Sequence, residues 1–111
     1  MQTEDPQSFH DIVGEYTASL VAEIFRALSD PSRIRIVSAL SAREMNVRAL
    51  ANSVGLSESA VSHHLRGLRQ MQLVRARKEG REVYYALDDD HIADLYQLGL
   101  DHVLHKRSIL D

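Results

Sequence analysis

The chain contains no cysteine among its 111 residues. That one absence excludes disulfides, thiolate redox switches and sulfur-rich metal sites together. Any metal held by this protein must be bound by nitrogen and oxygen. Long apolar runs are missing too: no stretch approaches the roughly 18 residues needed to span a bilayer, so no membrane partner is expected. The opening MQTEDPQSFHD is acidic and lacks the basic-then-apolar pattern of a secretory signal. A cytoplasmic protein is expected. No serine or cysteine nucleophile stands beside a base, and there is no phosphate-cradling glycine loop. Both absences speak against an enzyme and a small-molecule substrate.

What is present has the composition of one soluble domain, 44% apolar and 26% charged. The net charge of -3 hides an asymmetry. From Ser32 to Arg81, ten Lys/Arg stand against three acids (Glu44, Glu58, Glu79), so this middle stretch is +7 and the remaining residues sum to -10. A basic middle between acidic ends suits a polyanionic partner.

Hydrophobic periodicity divides the chain into seven elements. Ile12, Tyr16, Leu20, Ile24, Ala27 and Leu28 recur at helical steps between Asp11 and Leu28. In SDPSRIRIVSAL, Asp30 is placed as an N-cap and Pro31 as the first helical residue, with Ile34, Val37 and Leu40 as the buried stripe. A short helix over Val47 to Ser53 follows, capped by Asn46 and stopped by Gly55. In LSESAVSHHLRGLRQ, Ser57 is the cap and Val61, Leu65 and Leu68 face inward. QLVRARKEGREVYYAL then alternates around a turn at Glu79-Gly80, a β-hairpin. A last helix runs from about Asp89 or Asp90 to about His105. The expected fold is mainly α (α+β), a winged helix-turn-helix in the order α-α-α-α-β-β-α. Residues 1–10 are expected to form a flexible N-terminal arm, 11–106 the domain, and 107–111 a C-terminal tail.

In a helix-turn-helix, the second helix enters the major groove by its N-terminal end. Ser57, Ser59, Ser62 and His63 lie there, with Arg66 extending the surface and Arg69 placed for a phosphate. His64 shares that helix and is assigned to DNA as well. Arg75, Arg77, Lys78 and Arg81 would put the wing along the DNA backbone or into the minor groove. For Ser57, capping alone is an adequate account.

ALSDPSRIRIVSAL, LANSVGLSESAVSHHLRGLRQMQLV and REVYYALDDDHI together resemble the ArsR/SmtB family of winged-helix metal-sensing repressors. The resemblance covers about residues 20 to 106. It implies a homodimer formed through the first and last helices, bound to a palindromic operator without metal and released when metal binds. One family metal site uses cysteines at the start of the third helix, where this chain has EMNVRAL. That site is absent, which speaks against arsenic, lead, cadmium or copper(I) as the signal.

A second family site, D-x-H, then ten intervening residues, then H-x-x-H, is matched by Asp89, His91, His102 and His105. At about 100° per residue, His91, Leu95, Leu98, His102 and His105 share an arc of roughly 80°. Such a seam pairs two helices. Yet His91 and His102 are about 16 Å apart along the axis at 1.5 Å per residue, whereas zinc–nitrogen bonds are near 2 Å. One chain cannot close this site. An antiparallel second copy lays Asp89 and His91 beside His102 and His105 of its partner, giving two equivalent sites per dimer. Three imidazoles and a carboxylate suit tetrahedral Zn(II); Co(II) could also bind. The other readings are nickel, with His10 as a remote extra ligand, or a regulator of the same fold that senses a non-metal signal. The resemblance further implies a hydrogen bond from His102 toward the backbone near Gln72.

Overall fold

The computed structural model describes the backbone of residues 11–110 and the side chains of 11–107. The expected N-terminal arm, with His10 in it, lies outside the described residues. The elements are α1 (Glu15–Leu28), α2 (Pro31–Ala42), α3 (Val47–Val54), α4 (Glu58–Gln70), β1 (Val74–Glu79), β2 (Glu82–Leu87) and α5 (Asp90–Leu110). This is the winged helix-turn-helix order expected from the sequence.

The caps explain most boundaries. Asp30 accepts hydrogen bonds from the backbone N–H groups of Ser32 (2.8 Å) and Arg33 (3.2 Å), and Pro31 opens α2, where its missing N–H costs nothing. Asn46 accepts from the Ala49 N–H at 2.8 Å and starts α3. Gly55 ends α3 in the left-handed region (φ 71°), a conformation that disfavours any residue with a Cβ. Ser57 then caps α4 through the Ala60 N–H at 3.0 Å. The two helices therefore meet across Gly55, Leu56 and Ser57 alone. β1 and β2 pair antiparallel from Val74↔Leu87 to Glu79↔Glu82, leaving Gly80 and Arg81 as the two-residue loop. Gly80 has φ 62°, as the first central position of a tight hairpin turn requires.

Three expectations change. α1 begins at Glu15 rather than Asp11, because Gly14 is extended (φ -67°, ψ 164°) and takes the N-cap position. Of its apolar residues Ala27 and Leu28 are buried, while Tyr16 is 78% exposed and Leu20 and Phe25 also face outward. On α2, Ile36 and not Ile34 joins Val37 and Leu40 in the core; Ile34 is 37% exposed. The stripe shifts because α2 is enclosed by α1, α3, α4, α5 and β2 together. Finally, α5 is helical to Leu110, past the expected end at His105 and through most of the expected tail.

The core centres on Ile36, Val37, Leu50, Val61, Leu65, Leu68 and Leu73, each at most 2% exposed. It holds the helix-turn-helix and the root of the hairpin as one body. Val61, Leu65 and Leu68 bury one face of α4 and leave Ser59, His63 and Arg66 on another. No helix among the described residues is long and apolar enough to cross a membrane.

A Gly55→Ala substitution isolates the turn. A Cβ there would meet nothing within 4 Å, so the cost is backbone strain alone, about 1–2 kcal/mol. Thermal unfolding should show Tm lower by roughly 4–8 °C per kcal/mol for a domain of this size; an unchanged Tm would contradict the left-handed turn.

Candidate nucleic-acid interface and metal half-sites

Burying Val61 and Leu65 turns the start of α4 outward. Ser59, His63, Arg66 and Arg69 are exposed, while Ser62 is half-buried in a polar hollow of about 520 Å³ shared with Arg66, Arg69 and Tyr85. Ser57 is exposed as well, but its hydroxyl is occupied by the cap. The arrangement offers a helix N-terminus, short hydroxyls, an imidazole and two guanidinium groups on one surface. That set suits phosphate oxygens and base edges.

His64 does not join it. Its Nδ1 accepts a hydrogen bond from Arg33 Nε at 3.1 Å, and Arg33 Nη1 donates to the Ala27 carbonyl at 3.2 Å. One guanidinium thus ties α4 to the end of α1. Gly67 makes room for it: a Cβ at that position would lie 2.5 Å from Arg33 Nη2. Periodicity carries no trace of this bond. The usable signal was Gly67 itself, since glycine inside a helix costs about 1 kcal/mol against alanine and calls for a packing reason.

The wing cations divide into two pairs. Arg75 Nη1 donates to the carbonyls of Leu87 (3.0 Å) and Asp88 (2.6 Å), fastening β1 to the start of α5. Arg77 pairs with Glu44 and, at 3.4 Å, with Glu79, and its guanidinium lies 5.1 Å from the centre of the Tyr84 ring. The hydrogen bond from Arg77 holds the Glu44 carboxyl below its ordinary range. Lys78 and Arg81 are exposed near the tip. Two further contacts set the wing's angle. Met45 and Tyr85 exchange backbone hydrogen bonds at 3.0 and 2.8 Å, and Asn46 Nδ2 donates to Glu82 Oε1 at 2.8 Å.

On α5, Asp89 Oδ1 accepts from the His91 N–H at 2.9 Å, and its Oδ2 lies 3.4 Å from His91 Nδ1. These two residues are therefore already neighbours, with the His91 side chain 89% exposed. His102 and His105 are exposed one turn apart farther along the helix. The chain does not bring the two pairs together: among the described residues, no three His, Asp or Glu side chains converge as a metal group. Leu98, between the pairs, is 68% exposed, and Leu95 is half-buried against the core. α4 and α5 do not touch within the chain, and no described hydrogen bond links His102 to Gln72. Beside Leu95 and Gly99, an apolar groove of about 630 Å³ opens between α5, Phe25 of α1 and Ile34 of α2.

Comparison with known proteins accords with this geometry. Residues 30–76 match the arsR family of bacterial regulatory proteins. The chain is 51% identical over 86 residues to a transcriptional repressor SmtB homolog of Synechocystis sp., covering 78% of this chain and 65% of that protein. It therefore spans slightly less than two thirds of that relative's length. It is 41% identical over 90 residues to the cadmium resistance transcriptional regulatory protein CadC homolog of Staphylococcus aureus, covering 80% of this chain and 72% of the relative. A homodimeric winged helix-turn-helix DNA-binding domain from Mycobacterium bovis matches in structure with a TM-score of 0.75 at 26% identity, covering 93% of this chain and 90% of that one. These relatives are regulators, not enzymes. By sequence kinship and by its helix-turn-helix and wing alike, the chain belongs to the arsR family of bacterial regulatory proteins.

Proposed function

We propose that this protein is a cytoplasmic, metal-responsive transcriptional repressor. It binds a palindromic operator as a homodimer and leaves it when Zn(II), or Co(II), occupies sites shared between the two last helices. The observation that carries this reading is the outer face of α5. There, two pairs of exposed metal ligands flank Leu98, a leucine that the described residues leave 68% exposed. The homodimeric state of the M. bovis domain, the repressor role of the Synechocystis relative and the cadmium-resistance role of the S. aureus relative support it.

The dimer surface follows from what the single chain leaves uncovered. Tyr16, Leu20, Val21 and Phe25 on α1 and Leu98, Val103 and Leu104 on α5 are large, apolar and exposed. Exposed apolar surface of this extent marks an interaction face. Pairing α1 and α5 with a second copy covers it, and a two-fold axis sets Asp89 and His91 of one subunit against His102 and His105 of the other.

The donor set fits the ion. Asp89 supplies a carboxylate oxygen held beside an imidazole, and the exposed His102 and His105 leave their ring nitrogens free of the core. Three nitrogens and one oxygen would give a zinc ion four protein ligands, which suits sensing and not catalysis. Bound there, the metal supplies a cross-link between two helices. The protein's own residues do the rest: Leu98 and its neighbours hold the helices in register, and α4 and the wing present Ser59, Ser62, His63, Arg66, Arg69, Arg75, Arg77, Lys78 and Arg81 to DNA. Operator and metal each select one arrangement of the same dimer, so each weakens the other by the same factor.

Three outcomes test this. His102→Ala should leave operator binding without metal unchanged and abolish release by zinc in an anisotropy titration; dissociation at the wild-type zinc concentration would refute the site. Leu98→Glu should convert dimers to monomers in sedimentation, with helical circular dichroism retained. Glu44→Gln removes an acid from beside the wing, one of the two carboxylates that pair with Arg77. Operator affinity should then rise at low salt, and the salt slope should steepen by up to about 0.9 if Arg77 gains one phosphate. A weakened affinity would count against the wing as a DNA contact.

A further inference from the structure

A signal at α5 needs a path to α4, and the two helices do not touch within the chain. Among the described elements, α4 packs on α1, α2, α3 and β1, whereas α5 packs on α2 and β2. α2 is therefore the one element in contact with both. Every other path within the subunit needs at least two intermediate elements, α3 or β1 and then β2.

α2 carries a polar link at each contact. On the α5 side, the Tyr96 hydroxyl donates to Ser38 Oγ at 2.9 Å. On the α4 side, Arg33 Nε donates to His64 Nδ1 at 3.1 Å, and Gly67 is left without a Cβ opposite that guanidinium. Ser38 and Arg33 are five residues apart, which at about 100° per residue places them some 140° apart around the helix. They face different neighbours, as a connecting body requires. Between them Ile36 and Val37 are at most 1% exposed. A helix fixed this tightly in a close-packed core shifts as a unit and does not deform locally.

We propose that α2 relays the state of the last helix to the recognition helix inside each subunit, with Tyr96–Ser38 as its input and Arg33–His64 as its output. This rests on the metal reading given above. In this role Tyr96, Ser38 and Arg33 are positioning residues: they touch neither metal nor DNA, and they set how strongly one is felt by the other. Arg33 also fixes α4 against the Ala27 carbonyl at the end of α1. A change in the dimer helix therefore reaches the same guanidinium.

The test measures two quantities on the full-length dimer: cobalt(II) absorption, for stoichiometry and coordination, and affinity for a palindromic duplex selected by the wild type, with and without cobalt. Tyr96→Phe should bind two cobalt ions per dimer with the wild-type spectrum and hold the metal-free duplex within about twofold of wild type. The factor by which cobalt weakens DNA binding should fall by between about twofold and thirtyfold. Ser38→Ala should reproduce that loss, and the Tyr96→Phe/Ser38→Ala double variant should add nothing to it. Arg33→Gln should lower the same factor from the other end and again not add to Tyr96→Phe. Unchanged coupling in cobalt-loaded Tyr96→Phe and Ser38→Ala would overturn the relay while leaving the metal reading intact. A wild-type dimer that binds cobalt and keeps its DNA affinity would overturn both, and the wild-type titration alone reveals that case.

Discussion

An α-helix advances about 1.5 Å per residue, and a zinc ion reaches its ligands at about 2 Å. The metal half-sites of α5 depend on those two lengths. Asp89 and His91 sit at the start of α5 and are already in contact, while His102 and His105 sit three turns along the same straight helix. A single chain can present both pairs but can never close them on one ion. The helix that would bind metal is thus obliged to be the helix that pairs subunits, and the exposed Leu98 between the two pairs is the matching apolar contact. Metal occupancy and dimer geometry become one variable.

The rest of the architecture turns that variable toward DNA. α2 lies at the centre, with Ile36, Val37 and Leu40 buried and neighbours on nearly every side. Its cap at Asp30 sets where it begins, and Arg33, one turn in, ties it to the recognition helix and to the end of α1. The wing is fastened toward its root, by Met45 pairing with Tyr85 and by Arg75 on the carbonyls of Leu87 and Asp88. Arg75 thereby stands between two uses: it is a cation on the face proposed for DNA, and it caps the turn that leads directly into Asp89.

Much of this was legible in the residues, for identifiable reasons. Caps are local chemistry, so Asp30, Asn46, Gly55 and Ser57 could be read from short windows. The turn of the hairpin and the buried face of α4 follow from local periodicity in the same way. What failed was non-local. Ile34 yielded its place to Ile36 because five elements enclose α2, and periodicity assumes one buried side. Periodicity also could not show that Arg33 engages His64 and Glu44 engages Arg77, each from more than thirty residues away. The ligand spacing on α5 was legible as a pattern, and its incompleteness in one chain was legible as arithmetic.

The most direct measurement is a cobalt(II) titration of a mixed dimer, one subunit carrying His91→Ala and the other His102→Ala. If each site joins Asp89 and His91 of one subunit to His102 and His105 of the other, the mixed dimer keeps one complete site and loses the other. The account predicts one tightly bound cobalt ion with a tetrahedral spectrum per mixed dimer, and none in either homodimeric variant. A mixed dimer that binds no more cobalt than its parents would contradict it.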